Sequence, residues 1–225
     1  MIYIKEIAQN ILDWYQEKWN QGLNKYPWRI GKKNPYQILI AELLLQHTTA
    51  KAVSDNNSYQ ISLEKFPDIF FLNKAKIQDL IKIFKPLGLY NQKSERIKKL
   101  ANYILEKCQG RIPKEKKKLL KVPGIGDYIA NAILTFAYDQ NEVPLDNNLK
   151  RIALNVSNIK QKEDLINFYK RLAQSNPKII YWALFDIGRF HCRKPIPICK
   201  GCPMNKYCEN KKEKKNPKLK FYARL

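Results

Sequence analysis

Four of the five cysteines stand within seventeen residues of one another, as Cys192, Cys199, Cys202 and Cys208 in the spacing C-x6-C-x2-C-x5-C. Thiolates this close are soft metal ligands that suit zinc or an iron–sulfur cluster, and ligand type alone does not choose between them. The clustering favours a metal site in a reducing cytoplasm over a secreted disulfide framework. Pro195, Pro197 and Pro203 stiffen the intervening loops, while Cys108, alone in a helical stretch, reads as a packed side chain. A second constellation runs from Leu119 to Arg151, LLKVPGIGDYIANAILTFAYDQNEVPLDNNLKR. Its tight Gly-Ile-Gly turn joins two apolar-periodic segments, and such a turn with a helix N-terminus offers backbone N–H groups to an anion. Twenty residues after Gly126, Asp146 opens and caps a further helix. A third feature is Glu42, inside the apolar run ILIAELLL. A carboxylate is costly to bury there and tends to have its pKa raised; a rim position or a salt bridge is the plain alternative. The polar Gln46-His47-Thr48-Thr49 that follows marks a surface or the lip of a cleft.

The elements that must position these groups read as helices throughout. Residues 3–20 carry Ile4, Ile7, Ile11, Leu12, Trp14 and Tyr15 at helical spacing. Pro35 begins a buried helix from Tyr36 to about Val53. Ser62–Phe66 and Pro67-Asp68 lead into short helices at Ile69–Leu72 and Lys76–Phe84. A turn, PLGLYNQK, exposes Leu89 and Tyr90 before a helix from Ser94 to Lys107. Lys114–Lys121 is the first arm of the hairpin and Asp127–Tyr138 the second. Helices at Asp146–Val156, 163–173 and 177–190 follow. No stretch alternates with a period of two, so the fold class is all-α.

The chain of 225 residues has room for one large domain or two small ones, and 44% hydrophobic content supports real cores. Lysine and arginine number 42 against 20 acids, a formal charge of +22 that points to a polyanionic partner, with nucleic acid ahead of a membrane surface. Solvated charge alone is the alternative. No apolar run is long enough to cross a membrane, and the acid-containing N-terminus is not a signal peptide. The basic run Lys211–Lys220 adds a few phosphate contacts at most.

Three motifs together resemble the helix-hairpin-helix DNA glycosylases of the endonuclease III superfamily. They are LLKVPGIGDYIANAIL with VPLDNNLKR, PLGLYNQKSERIKKLA, and the cysteine loop; the likeness extends from about Trp14 to Cys208. YPWRIGKKNPYQILIAELLLQHTTAKAV looks like the mismatch thymine glycosylase branch, with MutY-type adenine glycosylases next. The resemblance implies two helical lobes with the base pocket between them. One comprises residues 1–30 and 146–225, with a [4Fe–4S] loop at 192–208; the other is 31–145, with the hairpin at 114–138. It also implies a [4Fe–4S] cluster on Cys192, Cys199, Cys202 and Cys208. In bifunctional relatives a lysine follows the Gly-Asp position; here it is Tyr128, which implies water as the nucleophile and a tyrosine lining the base pocket. Asp146 matches the carboxylate that stabilises the oxocarbenium-like transition state or activates water, and a helix N-terminus is expected to help keep it ionised. Glu42 matches the pocket glutamate that bonds or protonates the leaving base.

A base in a duplex must be flipped out to be reached, and Gln46 and Leu89 match the positions that insert into the gap. His47, Gly124, Gly126 and Lys121 complete the expected DNA contacts. One departure is Asp127, where relatives commonly carry a cation. It is expected to point away, leaving Lys114, Lys117, Lys118 and Lys121 to supply positive field. The implied activity is a monofunctional glycosylase on thymine or uracil opposite guanine, acting as a cytoplasmic, nucleoid-associated monomer on mismatched or damaged double-stranded DNA. The alternatives are an adenine glycosylase on A·G or A·8-oxoguanine, a bifunctional glycosylase/lyase, and a non-catalytic iron–sulfur DNA-binding module. Against the first stand Tyr128 and the shortness of the chain after Cys208; against the second, the lack of lysine at 128; against the third, that Glu42 and Asp146 would be idle.

Overall fold

The structure is a computed structural model that describes residues 2–23, 25–157 and 159–209. The basic run at 211–220 lies outside the described residues. All regular structure among those residues is helical. In chain order the α-helices are α1 (Ile2–Asn20), α2 (Pro35–Leu45), α3 (Ala50–Asp55), α4 (Ser58–Lys65), α5 (Ile69–Lys74) and α6 (Ile77–Phe84). They continue with α7 (Tyr90–Cys108), α8 (Lys116–Leu119), α9 (Asp127–Tyr138), α10 (Asn147–Ser157), α11 (Lys162–Leu172) and α12 (Pro177–Phe190). No described helix is long and apolar enough to cross a membrane. The chain forms two compact units, Lys25–Pro144 and Met1–Asn24 with Leu145–Leu225.

In the hairpin unit, Lys25–Pro144, α2 is the central helix. Its start is set by a reciprocal cap: Asn34 Oδ1 accepts from Gln37 N at 2.9 Å, and Asn34 N donates to Gln37 Oε1 at 3.0 Å. Pro35 occupies the first turn, where its missing N–H costs nothing. Ile38 through Leu44 are all buried, and the helix packs against α9 and α4. Each buried leucine or isoleucine contributes about 1.5–3 kcal/mol. Helix α9 answers with Ile129, Ala130, Ala132, Ile133 and Phe136. Its two buried polar residues face the return loop: Asn131 Nδ2 donates to Val143 O at 2.6 Å and Thr135 Oγ1 to Glu142 O at 2.7 Å. Helix α7 lays Ile97, Leu100, Ala101 and Ile104 over α5 and α6.

Three elements differ from the sequence expectation. The helix expected from Tyr36 to Val53 stops at Leu45, because Gln46 turns to an extended ψ of 118° and His47 takes a left-handed φ of 53°. A new helix, α3, then starts under its own cap, Thr49 Oγ1 accepting from Ala52 N at 3.1 Å. Helix α4 was not anticipated; two of its core positions are the serines Ser58 and Ser62, whose polarity hides the apolar period. Helix α7 begins at Tyr90, four residues before the expected Ser94.

In the cysteine unit, α1 packs on α12 and α11, and α10 on α12. Ile11, Tyr169 and Tyr181 are fully buried. Tyr169 spends its hydroxyl on Leu149 O at 2.6 Å, which ties α11 to the first turn of α10. Gly188 of α12 is required for close approach: a Cβ there would lie 2.6 Å from Asn148 Cβ. That contact sets the depth at which α10 sits.

Candidate active site and cysteine loop

In the hairpin unit, Glu42 sits on α2 between Ala41 and Leu43 and is 6% exposed, so it is buried and not at a rim. Tyr128 is the second residue of α9, the helix that packs on α2, and is half-buried. The turn before it runs through Gly124 at φ +87°, a conformation that favours glycine, and Gly126 caps α9 in extended backbone. A side chain at 124 would also press on Arg96, with Cβ 2.9 Å from its Cγ. A helix N-terminus behind such a turn is the kind of site that binds an anion.

Asp127 does not simply point away. It pairs with Lys116 of the same hairpin at 3.1 Å, and Lys118 pairs with Glu115 at 2.7 Å. Both pairs are largely solvent-exposed and contribute little to stability. Their consequence is electrostatic: Lys116 offsets the acid in the first turn of α9, and the positive field falls to Lys114, Lys117 and Lys121, all exposed.

The two turns that carry Gln46 and Leu89 are joined. Gln46 Oε1 accepts from Arg96 Nη1 at 3.3 Å, and Thr48 Oγ1 lies 3.0 Å from Leu87 O. His47 is exposed. Leu89 is 53% exposed at a left-handed φ of 51°, directly after Gly88. Lys93, 5% exposed, donates to Thr48 Oγ1 at 2.7 Å. The sequence reading missed Lys93, though it stands four residues before Ile97 on the buried face of α7.

In the cysteine unit, Asp146 caps α10. Its Oδ1 accepts from Leu149 N at 2.8 Å and its Oδ2 from Asn148 Nδ2 at 2.7 Å. Burial raises its pKa above the usual aspartate value, outweighing the lowering by Leu149, Asn148 and the Arg151 charge. The helix end does favour the ionised form, through the Leu149 N–H, but desolvation is the larger effect. Asn148 is held in turn by Arg151, whose Nη2 donates to Asn148 Oδ1 at 2.6 Å and to Gly188 O at 3.0 Å. Arg151 Nε donates to Cys192 O. A continuous hydrogen-bonded chain thus runs from the Asp146 carboxylate to the cysteine loop. Asn148 and Arg151 were visible within VPLDNNLKR, at two and five residues after Asp146, but carried no assigned role.

Cys192, Cys199, Cys202 and Cys208 line one cavity of about 30 Å³, walled by Ile152, Val156, Ile187, Pro197, Ile198 and Met204. Burial pushes the Cys202 thiol up to about 11, and the neighbouring Cys192, Cys199 and Cys208 add to the shift. Asn155 bonds two of the four: its Nδ2 donates to Cys192 Sγ at 3.2 Å and its carbonyl accepts from Cys208 Sγ at 3.2 Å. His191 lies edge-on to Trp14 at 5.5 Å beside the same cavity. No three His, Cys, Asp or Glu among the described residues are gathered closely enough for a metal ion. The donors are all soft sulfurs around an apolar volume, a chemistry that fits an iron–sulfur cluster.

With this geometry in view, residues 40–177 match the family model described as HhH-GPD superfamily base excision DNA repair protein. A thymine-DNA glycosylase of Aeropyrum pernix is 30% identical, over 91% of this chain and 94% of its own length. An adenine DNA glycosylase of Buchnera aphidicola is 33% identical over 95% of this chain, which spans 64% of that relative. Among solved structures, a thermostable thymine-DNA glycosylase superposes with a TM-score of 0.82 at 27% identity, covering 93% of this chain and 97% of that one.

Proposed function

The chain belongs to the HhH-GPD superfamily of base excision DNA repair proteins and is a DNA glycosylase, and we propose that it hydrolyses the N-glycosidic bond of thymine or uracil mispaired with guanine without cutting the strand. The observation that carries this reading is Tyr128, in the first turn of α9 directly after the Gly-Ile-Gly turn and Asp127. A strand-cutting enzyme needs an amine there to attack C1′ and form an imine. A phenol cannot do that, so water is the nucleophile and an abasic sugar the product.

Each residue then has a defined task. The hairpin N–H groups, with Lys117 and Lys121, bind a phosphate beside the target. Gln46 and Leu89 fill the gap left by the flipped nucleotide, whose eviction costs a few kcal/mol and less at a mispair. Glu42 hydrogen-bonds or protonates the leaving base, and Tyr128 lines its pocket. The Asp146 carboxylate stabilises positive charge developing at C1′ or takes a proton from the attacking water. Asn148 and Arg151 hold that carboxylate in place. Cys192, Cys199, Cys202 and Cys208 would hold a [4Fe–4S] cluster, which would cross-link the loop through its four thiolates.

Duplexes carrying T·G, U·G, A·G or A·8-oxoguanine, incubated with the protein and then treated with alkali or left untreated, test the reading. Release of thymine and uracil opposite guanine supports it. Release of adenine would move the chain to the adenine-excising branch, which the Buchnera relative represents.

A further inference from the structure

Helix α7 opens with a buried charge. Lys93 exposes only 5% of its surface, on the face continued by Ile97, Leu100 and Ile104. Its ammonium donates to Thr48 Oγ1 at 2.7 Å and lies 3.5 Å from both Leu44 O and Leu87 O. Among the described residues no carboxylate pairs with it. Burial without a counter-charge lowers its pKa. An apolar side chain of similar length would fill the site at less cost.

The three acceptors share one property. Leu44 lies in the last turn of α2, Thr48 in the turn that carries Gln46, and Leu87 precedes Gly88 and Leu89. Each of these turns holds a non-glycine residue in the left-handed region, His47 at φ 53° and Leu89 at φ 51°. Such backbone persists only where its surroundings hold it. Thr48 extends the link, its hydroxyl lying 3.0 Å from Leu87 O and 3.2 Å from Gln46 O. One turn along α7, Arg96 holds the Gln46 side chain itself.

We propose that Lys93 is a positioning residue that locks the 46–48 and 87–89 turns into one two-pronged element, so that Gln46 and Leu89 enter the duplex together. The inference rests on the reading of those two residues as the ones that fill the gap. Its physical content is preorganisation: with both turns tied to one ammonium, seating one side chain aims the other, and neither turn has to be ordered anew on DNA.

A double-mutant cycle on binding tests it. The ligand is a duplex with a tetrahydrofuran abasic analogue opposite guanine, which needs no excision. Gln46→Ala, Leu89→Ala and the pair are measured in the native chain, in Lys93→Met and in Thr48→Val. In the native chain each single change weakens binding, and the pair loses less than the product of the two losses by about fivefold or more. In Lys93→Met the two losses multiply within about twofold, the behaviour of independent sites. Thr48→Val, which removes the closest acceptor at nearly constant shape, gives the same uncoupling, and thermal melting by circular dichroism verifies that both variants are folded. General destabilisation lowers affinity without erasing the coupling. Coupling that survives both substitutions overturns the proposal, as does multiplication already present in the native chain. If Gln46→Ala and Leu89→Ala both bind as the native chain does, the gap-filling reading fails and the proposal fails with it.

Discussion

Replacing Asn148 by alanine isolates the control of Asp146. The amide donates to Asp146 Oδ2 at 2.7 Å; the backbone hydrogen bonds from Leu149 N, at 2.8 Å, and from Asn148 survive the change. A hydrogen bond to a charged group contributes about 1.5–3 kcal/mol, and about 1.4 kcal/mol is tenfold in a proton equilibrium. Because the bond favours the ionised form, removing it makes Asp146 easier to protonate. Burial already raises this carboxyl from the usual aspartate value, and on the proposed mechanism its ionisation sets the acid side of the activity profile. The assay is single-turnover release of thymine from a T·G duplex across the acid range. In Asn148→Ala the acid limb moves to higher pH, and activity at a fixed pH on that limb falls about tenfold or more. A uniform loss at every pH with the limb unmoved would refute the idea that Asn148 acts on Asp146 through ionisation.

Other substitutions probe other parts of the molecule. Tyr128→Lys places an amine in the first turn of α9, and a covalent DNA adduct trapped by borohydride is expected where the native chain yields none. Asp146→Asn abolishes excision yet melts no lower than the native protein at neutral pH. A buried aspartate with a raised folded pKa loses stability as pH rises through that value, so the variant's relative advantage shrinks as the pH falls toward about 4. Gly188→Ala puts a Cβ 2.6 Å from Asn148 Cβ; a loss of about 1–3 kcal/mol in chemical denaturation and slower excision are expected. Cys202→Ser removes one of the four sulfurs lining the loop cavity, and the broad visible absorption expected of a cluster disappears in the purified protein.

The parts of the fold that were legible in the sequence are those set locally. The Gly-Ile-Gly turn, the span of α9 and Asp146 as the cap of α10 all follow from backbone conformation and capping chemistry within a few residues. The end of α2 was not legible: the polar Gln46–Thr49 reads equally well as the exposed end of one helix, and it is the left-handed backbone at His47 that separates α2 from α3. Helix α4 was hidden because Ser58 and Ser62 face its core, with Ser62 Oγ returning its proton to Ser58 O. Lys93 was hidden for a different reason. In a chain with 42 basic residues a lysine carries no signal, and burial of this one depends on two turns brought together by tertiary packing. The balance at Asp146 was out of reach for the same cause: its cap could be foreseen, but desolvation depends on everything packed around it.

The most direct test is a T·G duplex labelled on the thymine strand, treated with the native protein and with Asp146→Asn, each with and without alkali. Water attack assisted by Asp146 predicts strand breaks at the thymine only after alkali and only with the native protein. Breaks without alkali, or full activity in Asp146→Asn, would contradict it.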